Sequence, residues 1–166
     1  MQGSQTVNME GGRNTHSYIG IDLGATNVRV GRVHGNNIEQ LEGQEIVDSS
    51  NPSDLLDKIE RLIIRVDTPD VSSIGIGVPS VVDVEKGIVY DVQNIPSWDK
   101  VPVKEIFEDK LDKPVYVNND SNCFVLGEKY FGKARGYKSV VGLTLGSGFG
   151  SGLILNNKLY PGDHCG

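Results

Sequence analysis

Twice in this chain an apolar stretch runs into a glycine-containing turn and straight out into a second apolar stretch. The first time, Tyr18 to Leu23 leads into Asp22-Leu23-Gly24-Ala25-Thr26-Asn27, and Asn27 to Val33 resumes an alternating pattern. The second time, Val140 to Leu145 leads into Gly146 to Gly152, with four glycines in seven residues, and then into Leu153 to Leu155. Alternation of this kind reads as strand, turn, strand. So much glycine weakens an ordinary hairpin, so either a tight turn or bulge needs it, or a bound group does. Gly24 permits close backbone approach and positive φ. Successive turn amides can then converge on one anion, with Thr26 and Asn27 adding side-chain donors. Asp22, at the strand end, suits a Mg²⁺ ion held directly or through water. If the two turns face each other, they can grip both ends of a triphosphate.

Between the hairpins, strand and helix signals alternate. Ile38 to Val47 reads as a weaker third strand. Asn51 then caps a helix that has Pro52 at its first position and an apolar face of Leu55, Leu56, Ile59, Leu62, Ile63 and Val66. Ser73 to Val78 is a buried strand, and Val81 to Val92 a hairpin turning at Glu85-Lys86-Gly87. A short helix (Pro102 to Leu111), a strand (Pro114 to Val117) and a helix (Ser121 to Phe131, with Cys123, Leu126, Gly127 and Tyr130 on one side) complete the middle. This alternation calls for an α/β fold with a mixed sheet. The returning hairpin suggests two related lobes, the second only begun.

Composition narrows the function classes. With 16 basic and 22 acidic residues, a formal charge of −6 and no Lys/Arg cluster, nucleic acid and anionic membranes are poor partners. The two cysteines, Cys123 and Cys165, show no CxxC spacing, which fits a reducing, cytoplasmic setting. Residues 1–17 read as a loose polar leader with no apolar core for a signal or anchor. Trp98 reads as partly buried packing and Glu128 as a structural polar contact. His16 and His34 have no evident partner, and packing or exposure is the default for His164 and Cys165.

Val117-Asn118-Asn119-Asp120-Ser121-Asn122 follows a strand and opens a helix. On the residues alone, Asp120 or Asn119 reads as a helix N-cap and the others as loop. Asn94, in Gln93-Asn94-Ile95-Pro96, is either loop chemistry or a ligand contact.

The first turn resembles the phosphate-1 motif, and the second the phosphate-2 motif, of the actin/Hsp70/sugar-kinase superfamily. Within it, VYVNNDSNCFVLGEKYFGKARGYKSVVGLTLGSGFGSGLILNNKLYPG closely resembles the ROK family of sugar kinases and repressors, and the likeness runs from about Tyr18 to Gly166. Serine stands at 147 and 80 where the family often has threonine and glycine, and Ser151 also replaces a frequent glycine. The resemblance implies a ribonuclease-H-like (actin-like ATPase) lobe at 18–117, with a mixed β-sheet and flanking helices. A catalytic segment and the beginning of a second, similar lobe would fill 118–166. It implies ATP and Mg²⁺ held by Asp22, Gly24, Ala25, Thr26, Asn27, Gly146, Ser147, Gly148 and Gly150. Asn119, Asp120, Asn94 and Ser80 would contact sugar, with Asp120 as catalytic base. The implied activity is ATP-dependent phosphorylation of a hexose or amino-hexose, glucokinase-like, by a full-length homo-dimer or larger oligomer. Its partners would be sugar and ATP, without nucleic acid or membrane. The remaining sugar contacts, the adenine pocket and a structural Zn²⁺ site would lie beyond Gly166, so the 166-residue chain alone is expected to be inactive. The alternative is a ROK-type sugar-responsive transcriptional regulator lacking or having lost its DNA-binding domain. Such regulators carry a helix-turn-helix before the first hairpin, and residues 1–17 have no such periodicity, which favours the kinase.

Overall fold

The structure, a computed structural model, describes residues 16–46, 51–92, 95–146 and 148–162. Strand β1 (Ser17–Leu23) alternates strictly, with Ser17, Ile19, Ile21 and Leu23 buried and the residues between them exposed. It pairs antiparallel with β2 (Asn27–His34), which pairs with the edge strand β3 (Asn37–Glu45), so the opening stretch is a three-stranded meander. On its other side β1 runs parallel to β4 (Val71–Val78), with Ile19 beside Ile74 and Ile21 beside Ile76.

Between them lies helix α1 (Pro52–Val66). Its Asn51 cap accepts the Ser53 N–H at 3.2 Å, and the six apolar residues expected on its inner face are all buried. Each such side chain contributes about 1.5–3 kcal/mol on leaving water. After β4 the chain makes a small antiparallel sheet of β5 (Val81–Asp83), β6 (Ile88–Tyr90) and β7 (Lys100–Pro102). Helix α2 (Val103–Leu111) then leads into β8 (Val115–Asn119), parallel to β4. The main sheet therefore has the order β3-β2-β1-β4-β8, the mixed sheet of a ribonuclease-H-like lobe. One face carries Ile19, Ile21, Leu23, Val28, Val30, Ile74, Ile76, Val78, Val115 and Val117 into a single core with α1 and α2. Lys110 of α2 ties the two helices together through Asp57, at 3.0 Å, and Glu60. Helix α3 (Asp120–Tyr130) follows β8 directly and joins a second sheet of β9 (Val140–Leu145), β10 (Phe149–Leu155) and β11 (Lys158–Tyr160). Among the described residues no helix is long and apolar enough to cross a membrane.

Several expectations are corrected. Strands β7 and β11 carry no clear signal, being three residues each. Strand β10 begins at Phe149, not Leu153, because its glycines extend and pair with β9 instead of looping. The buried side of α3 is Ser121, Asn122 and Val125, whereas Cys123, Gly127 and Tyr130 are exposed, since two sheets rather than one approach this helix. Trp98 is fully buried, and its indole N–H donates to the Pro52 carbonyl at 3.3 Å, pinning the small sheet to the start of α1. Glu128 does make a structural contact, accepting the Lys133 N–H. His164 and Cys165 lie outside the described residues.

His34 does have a partner. The buried Ser17 hydroxyl stands 3.2 Å from His34 Nδ1 and donates to Asp70 Oδ2 at 2.6 Å. That hydrogen bond is the main reason the Asp70 carboxyl is lowered to about 2. A carboxyl depressed in the folded state stabilises the fold above its unfolded pKa, and the contribution disappears as pH falls through the folded value. Asp70→Asn should therefore be less stable than the parent at pH 7. The difference should shrink between about pH 4 and pH 2, measured as denaturant midpoints across that range.

Candidate active site

Strand β8 ends and α3 begins without an intervening loop, so Asn119 and Asp120 sit where a parallel strand meets a helix N-terminus. The Asn119 side chain caps the helix, accepting the N–H groups of Ser121 at 2.9 Å and Asn122 at 3.4 Å. Its amide donates to the Ser80 carbonyl at 3.3 Å. Asp120 is the first helical residue and half-buried, and its Oδ1 accepts the Ser121 N–H at 2.7 Å. The cap reading taken from the residues alone is thus right for Asn119, and it leaves the Asp120 carboxylate at the helix entrance.

Two surfaces of small residues allow α3 to sit there. From the main sheet, Gly77 presents no side chain. A Cβ on it would stand 3.6 Å from Asp120 Cα and 3.4 Å from Cys123 Sγ. From the second sheet, a Cβ on Gly150 would collide with Ser121 Oγ and lie 2.6 Å from Thr144 Oγ1. One on Gly152 would lie 2.6 Å from both the Ser121 carbonyl and Val125 Cγ1. The hydroxyls of Ser121 and Thr144 meet at 2.9 Å, linking α3 to β9.

The result is a cleft of about 1040 Å³. Gly24 and Ala25 of the first hairpin line it, with Gly146, Gly148 and Gly150 of the second and Ser80, Asn119 and Asp120 between them. Of the residues expected to serve the site, Asp22, Thr26 and Asn27 are not among those lining it. Thr26 and Asn27 are exposed and bonded to each other at 3.0 Å. Asp22 is also exposed and lies 3.5 Å from Arg29 across the hairpin. Its neighbour in β4 is Gly77, the residue against which α3 rests, so Asp22 and Asp120 open on the same side of the sheet. Cys123 registers both: the residue as a whole is exposed, but its sulfur lies against Gly77, and the thiol is pushed up to about 11, by burial first and then by the charges of Asp120 and Asp22. Asn94 and Ser147 lie outside the described residues. Ser80 lines the cleft, but its hydroxyl is engaged in donating to the Tyr90 carbonyl.

Gly24, Gly146 and Gly150 do not adopt positive φ. Gly150 and Gly152 are required by helix packing. Beside Gly146 and Gly148 there is open space, a backbone rim that a phosphate group can approach. A single exposed carboxylate such as Asp22 fits a magnesium ion that keeps most of its waters. Among the described residues no three His, Cys, Asp or Glu side chains converge as a metal cage. Asp91, on which the sequence gives no functional signal, also lines the cleft. It is an acidic residue directly after the short strand β6.

The family described as the ROK family matches residues 18–166. A glucokinase from Thermotoga maritima is 37% identical over 147 residues, 87% of this chain and 46% of its own length. A xylose repressor from Caldicellulosiruptor bescii is 32% identical over 169 residues, 96% of this chain and 42% of the repressor. Among solved structures, a ROK family glucokinase from Streptomyces griseus, in complex with glucose and AMPPNP, matches with a TM-score of 0.80 at 31% identity. That match covers 89% of this chain and 47% of the other. The chain spans about half the length of the curated relatives it matches.

The two classes of glycine separate experimentally. Gly152→Ala overpacks the α3 contact and should cost about 1–3 kcal/mol, whereas Gly146→Ala, facing open space, should stay within about 0.5 kcal/mol of the parent. Chemical denaturation of both variants measures the difference.

Proposed function

The chain belongs to the ROK family, and from that premise we propose that the whole protein transfers the γ-phosphoryl group of ATP to a hydroxyl of a hexose or amino-hexose. One observation carries the reading: the Asp120 carboxylate and the turns of both glycine hairpins line a single cleft. Asn119 orients the sugar, and Asp120 accepts the proton of the attacking hydroxyl. Phosphoryl transfer passes through a loose transition state, so the base chiefly orients the nucleophile and takes its proton late. The amides of both turns hold the phosphates in line, and positioning of this kind supplies most of the acceleration. Asp22 is the residue that would hold a nucleotide-bound magnesium ion, which would supply neutralisation of phosphate charge.

We assign 18–117 to the first lobe and 118–166 to the catalytic segment and the beginning of the second. The 166-residue chain on its own is inactive in this account. Leu143, Leu145 and Phe149 stand exposed on the β9–β10 wall, and water in the open cleft weakens the field of the turn amides. The second reading, a sugar-responsive regulator, is favoured by the identity with the xylose repressor. It shares the cleft and lacks the turnover.

Asp120→Asn in the full-length protein should lower kcat by roughly 10²-fold or more, with sugar affinity within a few-fold, because the amide keeps the shape and an acceptor oxygen. Gly146→Val should do the reverse, weakening nucleotide binding and sparing sugar. A coupled ADP assay and calorimetry read both. Turnover of Asp120→Asn within a few-fold of the parent would move the role of base to another residue.

A further inference from the structure

Among the described residues, the only charged side chains lining the cleft are Asp91 and Asp120. Asp120 is the base in the reading above, and Asp91 is unassigned. Three contacts fix its place. The Ser80 hydroxyl donates to the carbonyl of Tyr90, the residue before Asp91, and the Asn119 amide donates to the Ser80 carbonyl at 3.3 Å. The Asp91 N–H donates to the Asp99 carbonyl at 3.0 Å. Asp91 therefore stands at the Ser80–Asn119 end of the cleft, tied by short links to the residue next to the base. Its backbone is held at φ 48°, the left-handed region that side-chain-bearing residues seldom occupy. Such conformations persist where the surroundings impose them, and they gather at ligand sites. The carboxylate is exposed, and none of the described residues gives it a hydrogen bond or ion pair.

We propose that Asp91 selects the sugar: its carboxylate accepts hydrogen bonds from neighbouring hydroxyls, or pairs with an ammonium group, and it turns anionic sugars away. The inference rests on the phosphotransfer reading and deepens it by naming the substrate class as uncharged or amine-bearing sugars. An ionised carboxylate is acceptor-only and can take two donors at once, which matches a pair of adjacent hydroxyls. A uronate or a sugar phosphate would meet two carboxylates here and no lysine or arginine among the described lining residues. Like charges a few ångströms apart repel, the more so as a bound sugar displaces water from the cleft.

The test uses the full-length protein in a coupled ADP assay, first with glucose, mannose and N-acetylglucosamine to find the best neutral acceptor. Glucuronate is then titrated as a competitor, with xylose, which lacks the carboxylate, as its neutral match. Xylose should inhibit the parent about 10-fold or more better than glucuronate. Asp91→Asn should raise KM for the neutral acceptor about 10-fold while kcat stays within a few-fold, and it should narrow the gap between xylose and glucuronate. Asp91→Gly, which suits the left-handed backbone and removes the carboxylate, should behave the same way and guards against a folding effect. Turnover by the parent with KM and the xylose–glucuronate gap unchanged in both variants overturns the role of Asp91 alone. If the parent phosphorylates none of the three sugars, the phosphotransfer reading falls and this inference falls with it.

Discussion

A helix can approach a sheet only as closely as the side chains between them allow, and α3 approaches two sheets at once. Gly77 removes the obstacle on one side, and Gly150 and Gly152 remove it on the other. With the Ser121–Thr144 hydroxyl contact, these absences of side chain fix the first turn of α3. Asn119, Asp120 and the second hairpin take their positions in the cleft from that turn. Asp120 is its first residue and Asn119 its cap. The second hairpin reaches the cleft because its strands rest on the same helix. Interiors packed to this density do not adjust smoothly to an added methyl group, so the site's geometry is inherited from packing.

The charge distribution sets what the cleft can bind. The described lining residues include no lysine or arginine, so in the proposed reading the turn amides, and a magnesium ion near Asp22, would meet the phosphate oxygens. Backbone amides of this kind need no reorganisation as charge develops, which is where their catalytic value lies. The acidic lining disfavours a second anion, and in the proposed reading the two carboxylates would divide the work, one taking a proton and the other choosing the sugar.

Much of the fold is legible in the sequence because its signals are local. The alternation of Ser17 to Leu23 and the periodic apolar residues of α1, with its Asn51 cap and Pro52, each specify one element and agree with their tertiary surroundings. The ROK likeness added the pairing of distant hairpins, which no local pattern contains. What the sequence hid depends on contacts between distant segments. The inner face of α3 was misjudged because Ser121 and Asn122 are polar and yet buried, satisfied by caps and a hydroxyl partner. The glycines of β10 read as a loop because their packing role appears only once Ser121 and Val125 lie across them. Asp91 carries no local signal, because what sets it apart is the neighbouring Ser80–Tyr90 contact and its backbone conformation.

The account makes the start of α3 the mechanical link between the two hairpins. Amide hydrogen exchange on the full-length protein, with and without magnesium, AMPPNP and glucose, tests it directly. Exchange should slow together in residues 24–27, in residues 146–150 and at Ser121 and Asn122, because the second hairpin rests on this helix and the first is joined to it through β4, whose Gly77 lies against α3. Protection of the hairpins with no change at Ser121 and Asn122 would contradict it, and so would protection confined to elements remote from the cleft.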